Sequence, residues 1–82
     1  MIKVLITGGA GYIGSHTSLV LAQEGIKVVV LDNFSNSSAE SIKRVEKLTN
    51  KKIDIIEGDV RDKLILNKIF SKHEIDTVFH FA

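Results

Sequence analysis

Four short runs of β-branched and aliphatic residues, separated by stretches whose apolar positions recur at helical spacing, predict an α/β fold on a parallel sheet for this 82-residue chain. The runs carry almost no polar alternation, as expected of strands covered on both faces. A cluster of glycines follows the first run, where a strand would hand over to a helix.

Ile2 to Ile6 is the first such run. From Tyr12 to Glu24 the residues Ile13, Thr17, Val20 and Leu21 predict the inner face of a helix, and Gly25 stands where a left-handed C′ residue would end it. Lys27 to Leu31 predicts a second strand, closed by Asp32-Asn33 and the polar stretch 35–38. Ser37, with Glu40 three residues later, fits a capping box for a second helix with Ile42, Val45 and Leu48 inward and an end near Asn50. Ile53 to Glu57 is a third strand before Gly58-Asp59. Asp62 is the expected cap of a third helix whose inner side is Ile65, Leu66, Ile69 and Phe70, with Lys72 and His73 at its negative end. Asp76 to Ala82 reads as a fourth strand.

Connections of this length permit right-handed crossovers, and the predicted strand order is 3-2-1-4. Such a sheet takes its ligand at the carboxyl ends of the strands, where the winding reverses between strands 1 and 4. A chain of this size buries only roughly 60% of its unfolded surface, so its stability is expected to be marginal. Residues 1–82 are expected to form the first four strands and three helices of an incomplete, Rossmann-type three-layer domain, with the rest of that domain and a substrate domain outside them.

Composition removes several alternatives. At 44% hydrophobic and 26% charged residues the chain has the make-up of a globular segment rather than a disordered one. The net charge of +1 is spread over scattered basic residues, which disfavours a nucleic-acid partner. With no cysteine there is neither a disulfide framework nor a thiolate metal site, and the three histidines His16, His73 and His80 lack metal-ligand spacing. The N-terminal apolar run is too short for a signal segment or membrane span, so the expected location is cytoplasmic, with no membrane partner.

The chemistry is concentrated in Thr7-Gly8-Gly9-Ala10-Gly11-Tyr12-Ile13-Gly14. Gly8, Gly11 and Gly14 satisfy G-x-x-G-x-x-G, and Gly9, Gly11 and Gly14 satisfy G-x-G-x-x-G. Both patterns answer the same needs: a tight turn, a backbone without a Cβ in the way of a diphosphate, and close helix–strand packing. Tyr12 and Ile13 would present backbone N–H groups at a helix N-terminus, where the helix dipole favours a pyrophosphate. Glycine-rich loops also end strands for purely structural reasons, but here Asp32 follows Gly14 by 18 residues, at the end of the next strand. An acid in that place should hydrogen-bond the adenosine ribose. A carboxylate would repel the 2′-phosphate of NADP, so the cofactor expected is NAD; the competing reading of Asp32 is a turn-forming residue. No Gly-Lys-Ser/Thr follows, which excludes a P-loop. Asp59, or the Val60 backbone, could meet the adenine edge, against the simpler reading of Asp59 as an exposed loop residue. Ser15 could touch a phosphate or be an ordinary polar residue of a first helical turn.

The blocks Thr-Gly-Gly-Ala-Gly-Tyr-Ile-Gly-Ser-His (7–16), Leu-Asp-Asn-Phe-Ser-Asn-Ser-Ser (31–38), Gly-Asp-Val-Arg-Asp (58–62) and Asp-Thr-Val-Phe-His-Phe-Ala (76–82) resemble the UDP-glucose 4-epimerases of the extended short-chain dehydrogenase/reductase superfamily. The 31–38 block is the most particular to the 4-epimerases; the glycine block is shared with nucleotide-sugar dehydratases and decarboxylases. The resemblance implies a bound NAD that takes hydride from C4 of the sugar of UDP-galactose or UDP-glucose and returns it to the other face. It implies that Tyr12 and Ile13 bind pyrophosphate, that Asp32, Asn33, Phe34, Ser35, Asn36 and Ser37 surround the adenosine, that Asp59 and Val60 meet the adenine, and that Phe81 and Ala82 begin the wall beside the nicotinamide. The partners expected are NAD and, for the protein of which the chain is part, a UDP-sugar and a second copy in a homodimer. The family's catalytic Tyr-x-x-x-Lys is not matched: the single tyrosine is Tyr12, and His16 stands four residues on. No catalytic residue is therefore expected within the 82 residues. Two other readings are a different extended short-chain enzyme acting on nucleotide sugars and a non-catalytic nucleotide-sensing module.

Overall fold

The computed structural model describes residues 2–35 and 37–81. Its elements are β1 (Lys3–Thr7), α1 (Tyr12–Gln23), β2 (Lys27–Asp32), α2 (Glu40–Thr49), β3 (Asp54–Glu57), α3 (Lys63–Lys72) and β4 (Thr77–His80). The four strands form one sheet in the order β3-β2-β1-β4, and every neighbouring pair is parallel. This is the predicted three-layer architecture. Because β1 has β2 on one side and β4 on the other, the crevice at the carboxyl ends opens beside Thr7, which is in register with Leu31 and His80.

Alternation along β1 and β2 divides the core into two layers. Val4, Ile6, Val28 and Val30 pack with Ala22 of α1 and with Ile42 and Val45 of α2. Leu5, Val29 and Leu31 pack with Ile69 of α3 on the opposite face. Both faces of β1 and β2 are thus covered, which is why those strands read as continuous apolar runs.

α1 departs from the expected face. Ile13 and Val20 are 57% and 55% exposed, while Gly14, Ser18 and Ala22, spaced one turn apart, are buried. Close approach of the helix axis to the sheet selects small residues for the contact line, and the Ser18 hydroxyl satisfies itself on the Gly14 carbonyl at 2.9 Å. The C-terminus is as predicted. Gly25 has φ +79°, its N–H donates to Ala22 O at 3.0 Å, and the Ile26 N–H donates to Leu21 O at 3.0 Å, the paired bonds of a Schellman motif.

α2 begins at Glu40 rather than at a Ser37 cap. Its N-cap residue is Ala39 and no side chain caps it, so the expected capping box does not form. The Ser37 hydroxyl instead donates to Asp32 Oδ1 at 3.3 Å. Ile42 and Val45 face the core, but Leu48 is exposed. α3 behaves as predicted at its start, where Asp62 Oδ1 accepts from Leu64 N at 3.0 Å and Ile65 N at 3.4 Å. Phe70, expected on its inner side, is 49% exposed. His73 ends the helix buried, with Nε2 3.9 Å from Asp54 Oδ2.

Candidate functional site

The turn out of β1 is built by Gly8, whose φ of +70° lies in the left-handed region that favours glycine. Its N–H donates to Leu31 O at 2.8 Å, and its carbonyl accepts from Gly11 N at 3.2 Å. Gly14 serves contact: a Cβ there would overlap the Gly8 carbonyl oxygen and lie 2.6 Å from Gly9 Cα. Gly9 is backed by the Val30 methyls, 2.8 and 2.9 Å from where its Cβ would stand. Gly11 is different. Its backbone is extended, at φ −73° and ψ 177°, and a Cβ would meet only Gly8 O at 3.4 Å, an ordinary contact. The fold has room for a side chain at Gly11; what its absence leaves clear is the space in front of the loop.

α1 starts at that point, so the N–H groups of Tyr12, Ile13 and Gly14 have no acceptor one turn back within the helix. The first turn of α1 carries no acidic residue to occupy them. The Ser15 hydroxyl turns back to Tyr12 O at 3.1 Å, which favours the ordinary first-turn reading of that residue.

Asp32, at the end of β2, is 8% exposed and accepts three hydrogen bonds from the described residues. Oδ2 takes the Ala10 N–H at 3.0 Å; Oδ1 takes the Phe34 N–H at 2.8 Å and the Ser37 hydroxyl at 3.3 Å. The carboxylate therefore ties the glycine loop to the loop after β2. The Phe34 bond is the turn geometry raised as a competing reading, and it supports the left-handed φ of +58° at Phe34. Two carboxylate oxygens offer about four lone-pair positions, so acceptor capacity remains for a further donor.

Gly8, Gly11, Leu31, Asp32, Asn33, Ser35, Ser37, Gly58, Asp59, Val60 and Phe81 line one cleft of about 260 Å³ at the carboxyl ends of the strands. Most of the residues singled out from the sequence meet there. Four described ones do not line it. The Phe34 ring packs against the core on the α1 and α2 side, and Gly14 is buried against the turn. Tyr12 and Ile13 stand at the start of α1, Tyr12 bordering a neighbouring cleft with Gly11, Ser15 and His16. Asn36 and Ala82 lie outside the described residues. Ser41 was not foreseen; its hydroxyl reaches the Ala10 carbonyl at 2.7 Å, across 31 residues. Nor was the bond of 2.6 Å between Thr7 Oγ1 and His80 Nδ1, which ties β1 to β4 beside the crevice. Among the described residues no group of three His, Asp or Glu side chains is placed to share a metal ion, and no helix is long and apolar enough to cross a membrane.

Asp59 is engaged by Arg61. Oδ1 accepts from Arg61 N at 2.8 Å and Nε at 3.1 Å, and Oδ2 accepts from the terminal guanidinium nitrogen at 2.7 Å. The guanidinium hydrogen bonds, then the backbone N–H, hold the Asp59 carboxyl at about 2, below its ordinary 3.8. The folded value is the lower one, so the stabilisation is complete above the ordinary value, weakens below it, and is lost as pH falls through about 2. Arg61→Ala is expected to bring the Asp59 carboxyl back toward 3.8 in a carboxyl-detected NMR titration, leaving the Arg61 backbone bond in place. An unchanged midpoint would show that the guanidinium is not the cause.

The family described as GDP-mannose 4,6 dehydratase matches residues 5–82. The chain belongs to this family, an extended short-chain dehydrogenase/reductase domain. A UDP-glucose 4-epimerase of Erwinia amylovora is 59% identical to this short-chain dehydrogenase/reductase domain over 80 residues, covering 98% of the chain and 24% of that protein. The crystal structure of the Bifidobacterium longum UDP-glucose 4-epimerase in complex with NAD+ and UDP superimposes with a TM-score of 0.96 at 44% identity, over 98% of the domain and 24% of that chain. The Stenotrophomonas maltophila enzyme, with bound NAD and formylated UDP-arabinopyranose, gives 0.95 at 40% identity, over 100% and 24%. The domain thus spans about a quarter of the length of the relatives it matches.

Proposed function

We propose that the chain is the part of a UDP-glucose 4-epimerase that holds the ADP half of NAD, and that residues 1–82 make up the first part of its NAD-binding domain. The observation that carries this is Gly11: the fold tolerates a side chain there, yet the residue lines the cleft and precedes the first-turn N–H groups of α1, which have no acceptor within the helix. Relatives 48–59% identical are named UDP-glucose 4-epimerases, which supports this activity over that of a dehydratase. A nucleotide-sensing role has no observation in its favour.

In this reading the N–H groups of Tyr12 and Ile13 donate to the pyrophosphate at the positive end of α1, with Gly8 making the turn, Gly14 seating the helix on it and Gly11 leaving room for the close approach. Asp32 accepts from the adenosine ribose hydroxyls with its remaining lone pairs, and its charge disfavours a 2′-phosphate. Asn33, Ser35, Asn36 and Ser37 border the adenosine, with Phe34 supporting that loop from the core. Because Arg61 engages the Asp59 carboxylate, the Val60 backbone is the better candidate for the adenine edge. Phe81 and Ala82 begin the nicotinamide wall. NAD supplies a reversible hydride acceptor for C4 of a UDP-sugar, the interconversion used in galactose metabolism. The acid–base groups of that reaction are not among these residues, since the only tyrosine, Tyr12, is followed four residues on by His16. A cytoplasmic, homodimeric enzyme with no nucleic-acid or membrane partner completes the proposal.

Gly11→Val tests it. The extended backbone accepts valine, so the urea midpoint should change little, whereas the branched side chain should lower NAD affinity by more than about tenfold, or ~1.4 kcal/mol. Calorimetric titration with NAD reads the effect. Full affinity in the valine variant would mean that the diphosphate is misplaced.

A further inference from the structure

The two peptides flanking Ala10, at the centre of the glycine block, are tethered from different elements. The peptide before it is held by its N–H, which donates to Asp32 Oδ2 at 3.0 Å. The peptide after it is held by its carbonyl, which accepts from the Ser41 hydroxyl at 2.7 Å. The N–H of that second peptide belongs to Gly11 and donates to Gly8 O at 3.2 Å, so its plane is fixed at both polar ends. This peptide immediately precedes the N–H groups of Tyr12 and Ile13, which have no acceptor within the helix, and rotating it would re-aim them.

Ser41 lies in the first turn of α2 and has one proton for two acceptors, Ala10 O at 2.7 Å and Ser38 O at 3.1 Å. The Ser38 bond alone would satisfy a first-turn serine, as local side-chain-to-backbone bonds commonly do. The shorter bond goes instead to the loop 31 residues away. A donor on the Ala10 carbonyl also polarises the peptide and strengthens the Gly11 N–H as a donor. We infer that Ser41 is a positioning residue for diphosphate binding: through the Ala10 carbonyl it sets the aim of the glycine loop without touching the ligand. The inference rests on the reading that this loop receives a diphosphate.

The test is calorimetric titration of ADP and of adenosine into the full chain, unsubstituted and as Ser41→Ala and Ser41→Thr. Ser41→Ala should weaken ADP about fivefold, the loss of one ordinary hydrogen bond, and weaken adenosine less than about twofold. Ser41→Thr keeps the hydroxyl and should restore ADP affinity to within about twofold of the unsubstituted chain. Hydrogen exchange at the Gly11 N–H, read without ligand, should accelerate in Ser41→Ala and not in Ser41→Thr. Equal ADP affinity with and without the hydroxyl overturns the inference, as does a parallel loss of ADP and adenosine, which marks general damage to the docking of α2. An unsubstituted chain that binds no ADP overturns the NAD reading instead, and the Gly11 exchange rates then decide on the tether alone.

Discussion

Replacing Gly14 with alanine is expected to destabilise the chain by about 3 kcal/mol, the upper end of what overpacking a tight contact costs. The added Cβ would run into the Gly8 carbonyl oxygen and the Gly9 Cα, both backbone. Neither can give way cheaply, since the turn is pinned by the Gly8 N–H on Leu31 O and by the Ala10 N–H on Asp32. The helix would have to lift from the sheet, opening the contact line of Gly14, Ser18 and Ala22. Gly11→Ala is the internal control: the same methyl, three residues away, meets only an ordinary contact and should shift stability by less than about 1 kcal/mol. Urea midpoints of the two variants measure the difference. Equal midpoints would mean that α1 does not sit as closely on β1 as described.

Asp32→Ala is expected to act on stability and cofactor choice together. It strips the acceptor from the N–H groups of Ala10 and Phe34 and from the Ser37 hydroxyl, and Ala10 is buried. Stranding a buried donor costs about 1–3 kcal/mol, so a loss in that range is expected at Ala10 alone, with less at the half-buried Phe34. Loss of the carboxylate also removes its bond to a ribose hydroxyl and its repulsion of a 2′-phosphate. NAD affinity should fall by about tenfold to a hundredfold, for a charge-assisted bond of ~1.5–3 kcal/mol, while NADP loses less. Asp32→Asn keeps the volume but removes the charge and leaves a single acceptor oxygen for donors that now occupy two, so it too should lose both stability and the preference for NAD. Calorimetry with both dinucleotides reads the preference. A ratio of NAD to NADP affinity unchanged in Asp32→Ala would remove Asp32 from cofactor discrimination and leave it the loop-tying role seen in its hydrogen bonds.

The elements, their order and the parallel sheet were legible in the residues themselves because they depend on near neighbours. A β-branched run without polar alternation is a covered strand wherever it packs, Gly25 frees the backbone for a left-handed C′, and Asp62 finds its acceptor role two and three residues ahead. The glycine block and Asp32 were legible for the same reason, since their spacing follows from one strand, one turn and one helix. The face that α1 buries was decided only in three dimensions. Apolar periodicity points to Ile13 and Val20, but a helix lying tightly on a sheet is admitted along its smallest residues, and large side chains are pushed to the flanks. The polar partners were decided in the same way. Ser37 and Glu40 satisfy a capping box on paper, yet Asp32 is the stronger attraction for the Ser37 hydroxyl once β2 and the following loop are in place. Ser41 reaches Ala10, and His80 reaches Thr7, across 31 and 73 residues respectively. No local pattern encodes such pairs: a hydroxyl or imidazole takes whichever partner the chain's closure brings within hydrogen-bonding distance, and that closure is a property of the packed sheet and helices together.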